Sequence, residues 1–344
     1  MKAVQIHAHG GPEVLEYTDI AEPQLCADEV LVRVRAAALN HLDLFVRSGI
    51  PGAKFSFPHI LGSDAAGEVV AVGALCRRVQ PGQRVLLAPG LSCRQCLACL
   101  EGRDNECRSY TLFGTGAPGV NRELVNAPEY AVIPIPDSLD YQHAAAAPLV
   151  FVTAWHMLMT RARLQPGEDV LVLAGSSGVG MAAIQLAKWL HCRIIATAGS
   201  EEKMARCQEL GADFVLNHYR EQVTTEVRRL TGKRGVDVVF EHVGSATWDR
   251  SRECLAPSGR LVTCGATTGY DVALDLRFLF SKQQTLLGSF MGTLGELHRV
   301  LRLVFDGSVR AVIDSVYPLN EIRAAHERLE SKQQFGKVVI QPVA

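Results

Sequence analysis

The sequence predicts an α/β chain of two domains, a doubly wound parallel sheet inserted into a discontinuous β-rich domain. Three observations lead there. The chain has 344 residues, beyond the roughly 250–300 at which a single core stops growing. Its first third holds short alternating strand patterns broken by Gly and Pro. From Pro166 the pattern switches to uninterrupted apolar runs separated by amphipathic helices, which marks a parallel sheet covered on both faces.

Taken in order, Met1–His7 opens directly on an alternating strand. Strands follow at Glu29–Ala38 (EVLVRVRAAA), Gly67–Val72 and Gln83–Ala88, where alternate residues point to opposite faces. A cysteine-bearing loop covers about 90–110. The Ala-rich stretch Tyr141–Leu158 reads as a helical connector. DVLVLAG at Asp169–Gly175 is then followed by a helix (MAAIQLAKWL), the strand RIIATAG, a helix at Glu201–Leu210, FVLN, a helix around Glu221–Leu230 and VDVVFEHVG. GRLVTCG at Gly259–Gly265 and TLLGSF at Thr285–Phe290 extend the series. Right-handed crossovers favour a doubly wound order. A helix near Leu294–Phe305 and a last strand, Lys337–Gln341, close the chain. The expected domains are 1–128 with 291–344, and 129–290.

Composition narrows the function. Lys+Arg (35) and Asp+Glu (36) balance to a net charge of -1, so no broad electrostatic field favours nucleic acid or an acidic membrane. No segment approaches the roughly 20 apolar residues of a membrane span, and no leader pattern opens the sequence. A cytoplasmic protein with a small-molecule substrate is expected. Ten cysteines in a chain able to bury its own core read as thiols or metal ligands rather than disulfides.

Two motifs carry chemistry. Between the strand ending at Ala174 and the helix near Met181 lies Gly175-Ser176-Ser177-Gly178-Val179-Gly180. A tight, small-residue turn at a helix N-terminus suits a pyrophosphate, although Ser177 stands where the strict GxGxxG pattern has its middle Gly. About 20 residues on, where an acidic residue would hold an NAD ribose, the chain reads Ala198-Gly199-Ser200. NADPH is therefore favoured over NADH. Ser200, Lys203 and Arg206 can donate to a 2′-phosphate, with His218, Tyr219 or Arg220 on the other side. The alternative has Glu201 holding the ribose hydroxyls. The second motif is Cys93-x-x-Cys96-x-x-Cys99 with Cys107 beyond. Four thiolates complete a tetrahedral zinc shell with no open position, so the site is structural; iron–sulfur centres share such spacing.

Together with GGPEVLEY, AAALNHLDLFVRSG, LGSDAAGEVVAVG and the terminal FGKVVI, these motifs resemble the medium-chain, zinc-type alcohol dehydrogenase and quinone reductase superfamily over essentially the whole chain. The resemblance implies a Rossmann domain interrupting a GroES-like catalytic domain. In alcohol-oxidising members a Cys, a His and a Cys hold a catalytic zinc. Here the matching positions are Asn40, Ser63 and Leu149, poor or impossible ligands. The resemblance therefore implies the branch that lost that metal, the quinone and enoyl reductases. Thr153 matches a position near the nicotinamide, and Asn40 and Asp43 line the corresponding site. Asp43 or Asp64 has the alternative role of a structural carboxylate paired with an Arg. Val243, Gly265, Ala266, Phe290 and Lys337 are also assigned to the cofactor. A Tyr that donates the proton in several relatives is missing, which leaves His41 or water.

The expected activity is NADPH-dependent reduction of the activated C=C of an enoyl thioester or small enone. A quinone reductase, a zinc-dependent alcohol dehydrogenase or carbonyl reductase, and a non-catalytic NADPH-binding protein are the alternatives. Arg47, Lys54 and Arg277 are candidates for a thioester's phosphates. The apolar strand at Thr285–Met291 suits an edge pairing with a second copy, giving a homodimer or homotetramer.

Overall fold

The computed structural model describes residues 1–342. Two compact units are present: Met1–Leu149 with Thr293–Ala344, and Val150–Gly292. The first runs further than the expected 128 for two physical reasons. Val132–Pro134 pairs with Arg84–Leu87, and the helix Tyr141–Ala146 packs on Glu29–Ala38 and Asp64–Val72. The Ala-rich stretch is two helices, Tyr141–Ala146 and Pro148–Trp155, followed by a π-helical turn, His156–Arg161.

In the first unit a seven-stranded sheet is centred on Glu29–Ala38. The alternation read in that strand is real: Val30, Val32 and Val34 are buried while Arg33 and Arg35 face solvent. Each such valine contributes about 1.5–3 kcal/mol of apolar burial. Glu29–Ala38 lies antiparallel to both Asp64–Val72 and Lys337–Gln341, with Ala38 opposite Asp64 and Val339. That register gathers the end of the first strand, the start of the second and the start of the third at one place.

The second unit holds a six-stranded parallel sheet. Its spatial order is Phe214–Asn217, Arg193–Ala198, Asp169–Val172, Val236–Glu241, Leu255–Thr263 and Thr285–Gly288. Numbered along the chain this is 3-2-1-4-5-6, the doubly wound dinucleotide order. The central strands are buried on both faces, as their unbroken apolar runs required; Val170, Leu171, Val172, Val238, Val239 and Phe240 have no exposed surface. Among the described residues no helix is long and apolar enough to cross a membrane.

Candidate functional site

Within the second unit the predicted cofactor residues collect beyond the carboxyl ends of the parallel strands, where open α/β sheets bind ligands. The Gly175–Gly180 loop follows Asp169–Val172, and Ser200 follows Arg193–Ala198. His218 and Tyr219 follow Phe214–Asn217, and Val243 follows Val236–Glu241. Gly265 and Ala266 come after Leu255–Thr263, and Phe290, largely exposed, after Thr285–Gly288.

The broken glycine pattern has a local explanation. Ser177 is the N-cap of the helix Gly178–Trp189, and its Oγ accepts from the Gly180 N–H at 3.0 Å. The N–H groups of Gly178 and Val179, with no carbonyl a turn earlier, remain at the anion-attracting end. Gly180 cannot be replaced, since a Cβ there would lie 2.3 Å from the Ala174 carbonyl oxygen. His242 Nε2 lies 3.0 Å from Leu173 O and 3.4 Å from Ser177 Oγ, joining two adjacent loops.

At the ribose position Ser200 caps the helix Glu201–Glu209, its Oγ accepting from Lys203 N. Glu201 is paired with Arg220 at 3.2 Å. His218 stacks edge-on against the exposed Tyr219, with centroids 4.4 Å apart. Burial first, then the charges of Arg250 and Lys203, hold its imidazole below its ordinary pKa. Two cations thus act on this corner. Sequence reasoning missed Arg250, which lies on a different helix, and Glu241. The latter is fully buried, accepts from Val243 N, Gly244 N, Thr247 Oγ1 and Ser251 Oγ, and so fixes the turn that carries Val243. Thr153 is buried in Pro148–Trp155, its hydroxyl 3.9 Å from Met291 Sδ.

In the first unit, strand register builds a buried polar cluster. Lys337 Nζ donates to Asn40 Oδ1 at 2.5 Å and to Asp64 Oδ2 at 3.2 Å. Asn40 Nδ2 donates to the same Asp64 oxygen at 2.9 Å, and Leu149 N–H to Asp64 Oδ1 at 3.0 Å. Asp64 therefore pairs with a Lys, not an Arg. Lys337, assigned to the cofactor from sequence, is 2% exposed inside this cluster, where burial lowers its pKa and Asp64 opposes that shift. Asp43 accepts from Asn40 N and Gly62 N at 2.7 and 2.8 Å, closing the cap of the helix His41–Ser48. Its pKa is raised to about 6 by burial against those N–H bonds and Lys337. His41 is half-buried, its ring tilted against Phe45.

The three positions that hold metal in alcohol-oxidising enzymes do not fit one here. The Asn40 carboxamide is bonded at both ends, Ser63 Oγ donates to Phe113 O at 2.7 Å, and Leu149 has no donor atom. Of the phosphate candidates, Arg47 is 1% exposed and is bonded to Gly10 O, His326 and Glu330, while Arg277 pairs with Asp275 at 2.7 Å.

The cysteine lobe does fit a metal. The four Sγ atoms of Cys93, Cys96, Cys99 and Cys107 all lie within 4.8 Å of one another, with pairs at 3.5, 3.6 and 3.9 Å. A tetrahedron with zinc–sulfur bonds of 2.3 Å has edges of about 3.8 Å. N–H groups of Gln95 and Cys96, then the Cys107 thiol, pull the Cys93 thiol down to about 6, toward the ligating thiolate. Among the described residues this is the only gathering of three or more Cys, His, Asp or Glu donors suited to a metal.

Comparison with known proteins agrees with both units. The alcohol dehydrogenase GroES-like domain family matches residues 26–137, and the zinc-binding dehydrogenase family matches 178–306. A quinone oxidoreductase of Pseudomonas aeruginosa is 33% identical, with 99% of each chain aligned. A crystal structure of an NAD-dependent alcohol dehydrogenase superposes with a TM-score of 0.97 at 43% identity, over 100% of both chains. The Escherichia coli quinone oxidoreductase complexed with NADPH gives a TM-score of 0.85 at 27% identity, covering 99% of this chain and 100% of that one. With both domain families matched and relatives aligned end to end, the chain is an oxidoreductase and belongs to the medium-chain dehydrogenase/reductase superfamily.

Proposed function

We propose that this oxidoreductase reduces the activated C=C bond of an α,β-unsaturated carbonyl compound, an enoyl thioester or small enone, using NADPH and no metal at the reacting carbonyl. The observation that carries the reading is the chemistry of Asn40, Ser63 and Leu149. No thiolate or imidazole stands there, and the polar atoms present are spent on Lys337, Asp64 and Phe113. Alcohol oxidation needs a Lewis acid for its alkoxide. Conjugate reduction instead develops an enolate, which hydrogen-bond donors stabilise.

When bound, NADPH would supply the hydride for the β-carbon, becoming NADP+. The loop N–H groups of Gly178 and Val179 receive the pyrophosphate. Ser200, Lys203 and Tyr219, with Arg250 nearby, receive the 2′-phosphate. Thr153 meets the nicotinamide end. His41 or water returns a proton to the α-carbon, which balances the reduction. Cys93, Cys96, Cys99 and Cys107 hold one structural zinc. Two copies join through the free edge of Thr285–Gly288.

A second reading, an NAD-linked zinc alcohol dehydrogenase, is favoured by the 43% identity to such an enzyme. NADPH and NADH oxidation measured against enones, enoyl-CoAs, quinones and ketones, together with zinc content, separates the two. The proposal expects enone or enoyl-CoA turnover, preference for NADPH and one zinc per chain. Alcohol oxidation with NAD and two zinc per chain, or no turnover across the panel, would overturn it.

A further inference from the structure

We propose that the second unit carries an anion site apart from the dinucleotide loops, built from Arg228, Arg252 and Lys282 and suited to the phosphate of a small phosphate monoester. The three cations come from separate helices. Arg228 lies on Val223–Leu230, Arg252 on Trp248–Glu253, and Lys282 is the C-cap of Leu276–Ser281. All three line one cavity of about 320 Å³, together with Thr224, Thr225 and Phe278. None of the residues assigned to the dinucleotide lines it. Arg252 and Lys282 stand just ahead of the strands Leu255–Thr263 and Thr285–Gly288, at their amino ends, whereas the cofactor residues follow the carboxyl ends.

Charge sets this cavity apart from the surface round it. On the same helices, Arg229 is paired with Glu226 at 2.8 Å and Arg277 with Asp275 at 2.7 Å. Among the described residues, Arg228, Arg252 and Lys282 form no ion pair. The one carboxylate lining the cavity is that of Glu253, so cations outnumber it three to one. Like charges gathered without a counter-charge repel one another, and a bound anion relieves that repulsion.

Phe278 holds two of the cations in place. The Arg252 guanidinium lies 5.3 Å from its ring centroid and the Lys282 ammonium 5.4 Å, distances at which the ring attracts a cation. Because the partner is a neutral ring and not a carboxylate, both keep their full charge for a ligand. A phosphate monoester brings close to two negative charges at neutral pH and three acceptor oxygens. These match the N–H donors of the two arginines and the lysine, and the hydroxyls of Thr224 and Thr225. The cavity of about 320 Å³ falls at the small end of small-molecule sites, about 300–1,000 Å³, and leaves room for an organic group beyond the phosphate.

The test titrates phenyl phosphate into the protein by calorimetry at low salt, with NADPH present to compete for the dinucleotide loops. Wild type should bind one phenyl phosphate per chain. Changing Arg252→Gln and Lys282→Gln together should weaken binding at least about tenfold, through loss of two charge-assisted hydrogen bonds. Changing Arg229→Gln and Arg277→Gln together removes the same charge from paired positions and should keep the affinity within roughly threefold, since only a screened field changes. No saturable binding to wild type at millimolar phenyl phosphate, or equal weakening by the two double variants, would overturn the inference. Inorganic phosphate should bind more weakly than phenyl phosphate, and equal affinity would overturn the choice of an ester. If the first double variant does not fold, Arg228→Gln, at an exposed position, is read by the same criterion.

Discussion

Asn40 occupies a ligand position of the alcohol dehydrogenases, and its surroundings show why it does not act as one. Its two polar ends are bonded to a buried cation and a buried carboxylate, so Lys337 places positive charge inside the first unit. Asn40's departure from Cys was legible in the sequence. Its partners were not, because Asn40 and Lys337 lie 297 residues apart and meet only through strand register.

Arg47 and His326 give the clearest pH signature. His326 has no exposed surface, and burial, followed by the Arg47 charge, lowers its pKa from 6.5 to about 3. A depressed folded pKa contributes stability that is present above 6.5 and lost as pH falls from 6.5 toward 3, amounting to about 5 kcal/mol at most. His326→Gln, which keeps an acceptor for Arg47 but takes no proton, should flatten the decline in urea-unfolding stability over that range. An unchanged decline would contradict the assignment.

At the scale of elements, the parallel strands and their helices followed from period and length. The helix Leu294–Phe305 and the strand Lys337–Gln341 lie where the sequence put them. The unit boundary did not, since the pairing of Val132–Pro134 with Arg84–Leu87 is a tertiary choice that local pattern leaves open. Ser177 in the dinucleotide loop looked like a defect and is a helix cap. The cysteine lobe has little core of its own, with a one-turn α-helix, Leu97–Leu100, a 3-10 turn, Asp104–Glu106, and a two-stranded ladder of Gly90–Leu91 and Thr111–Leu112. The proposed zinc would then supply folding energy for the lobe. Cys99→Ser should bring zinc well below one per chain, lower Tm by roughly 5 °C or more and expose the lobe to limited proteolysis. A wild-type protein purified free of zinc with an unchanged Tm would refute this role.

At the scale of the whole molecule, Thr285–Gly288 is the outer strand of its sheet, and Phe280 and Phe290 nearby are 71% and 61% exposed. An open edge beside exposed aromatics supports the proposed pairing of two copies through this strand. Light scattering at micromolar concentration should give a dimer or tetramer, and Leu286→Pro, which removes an N–H on the open side of the strand, should shift it toward monomer. A wild-type monomer would contradict the pairing.

The carbon that receives the hydride distinguishes conjugate reduction from carbonyl reduction. Reduction of 2-cyclohexen-1-one with NADPH deuterated at its transferable position, followed by NMR of the product, tests it directly. Conjugate reduction gives cyclohexanone carrying deuterium on the β-carbon. Deuterium on the carbinol carbon of 2-cyclohexen-1-ol would mean carbonyl reduction, and would contradict it.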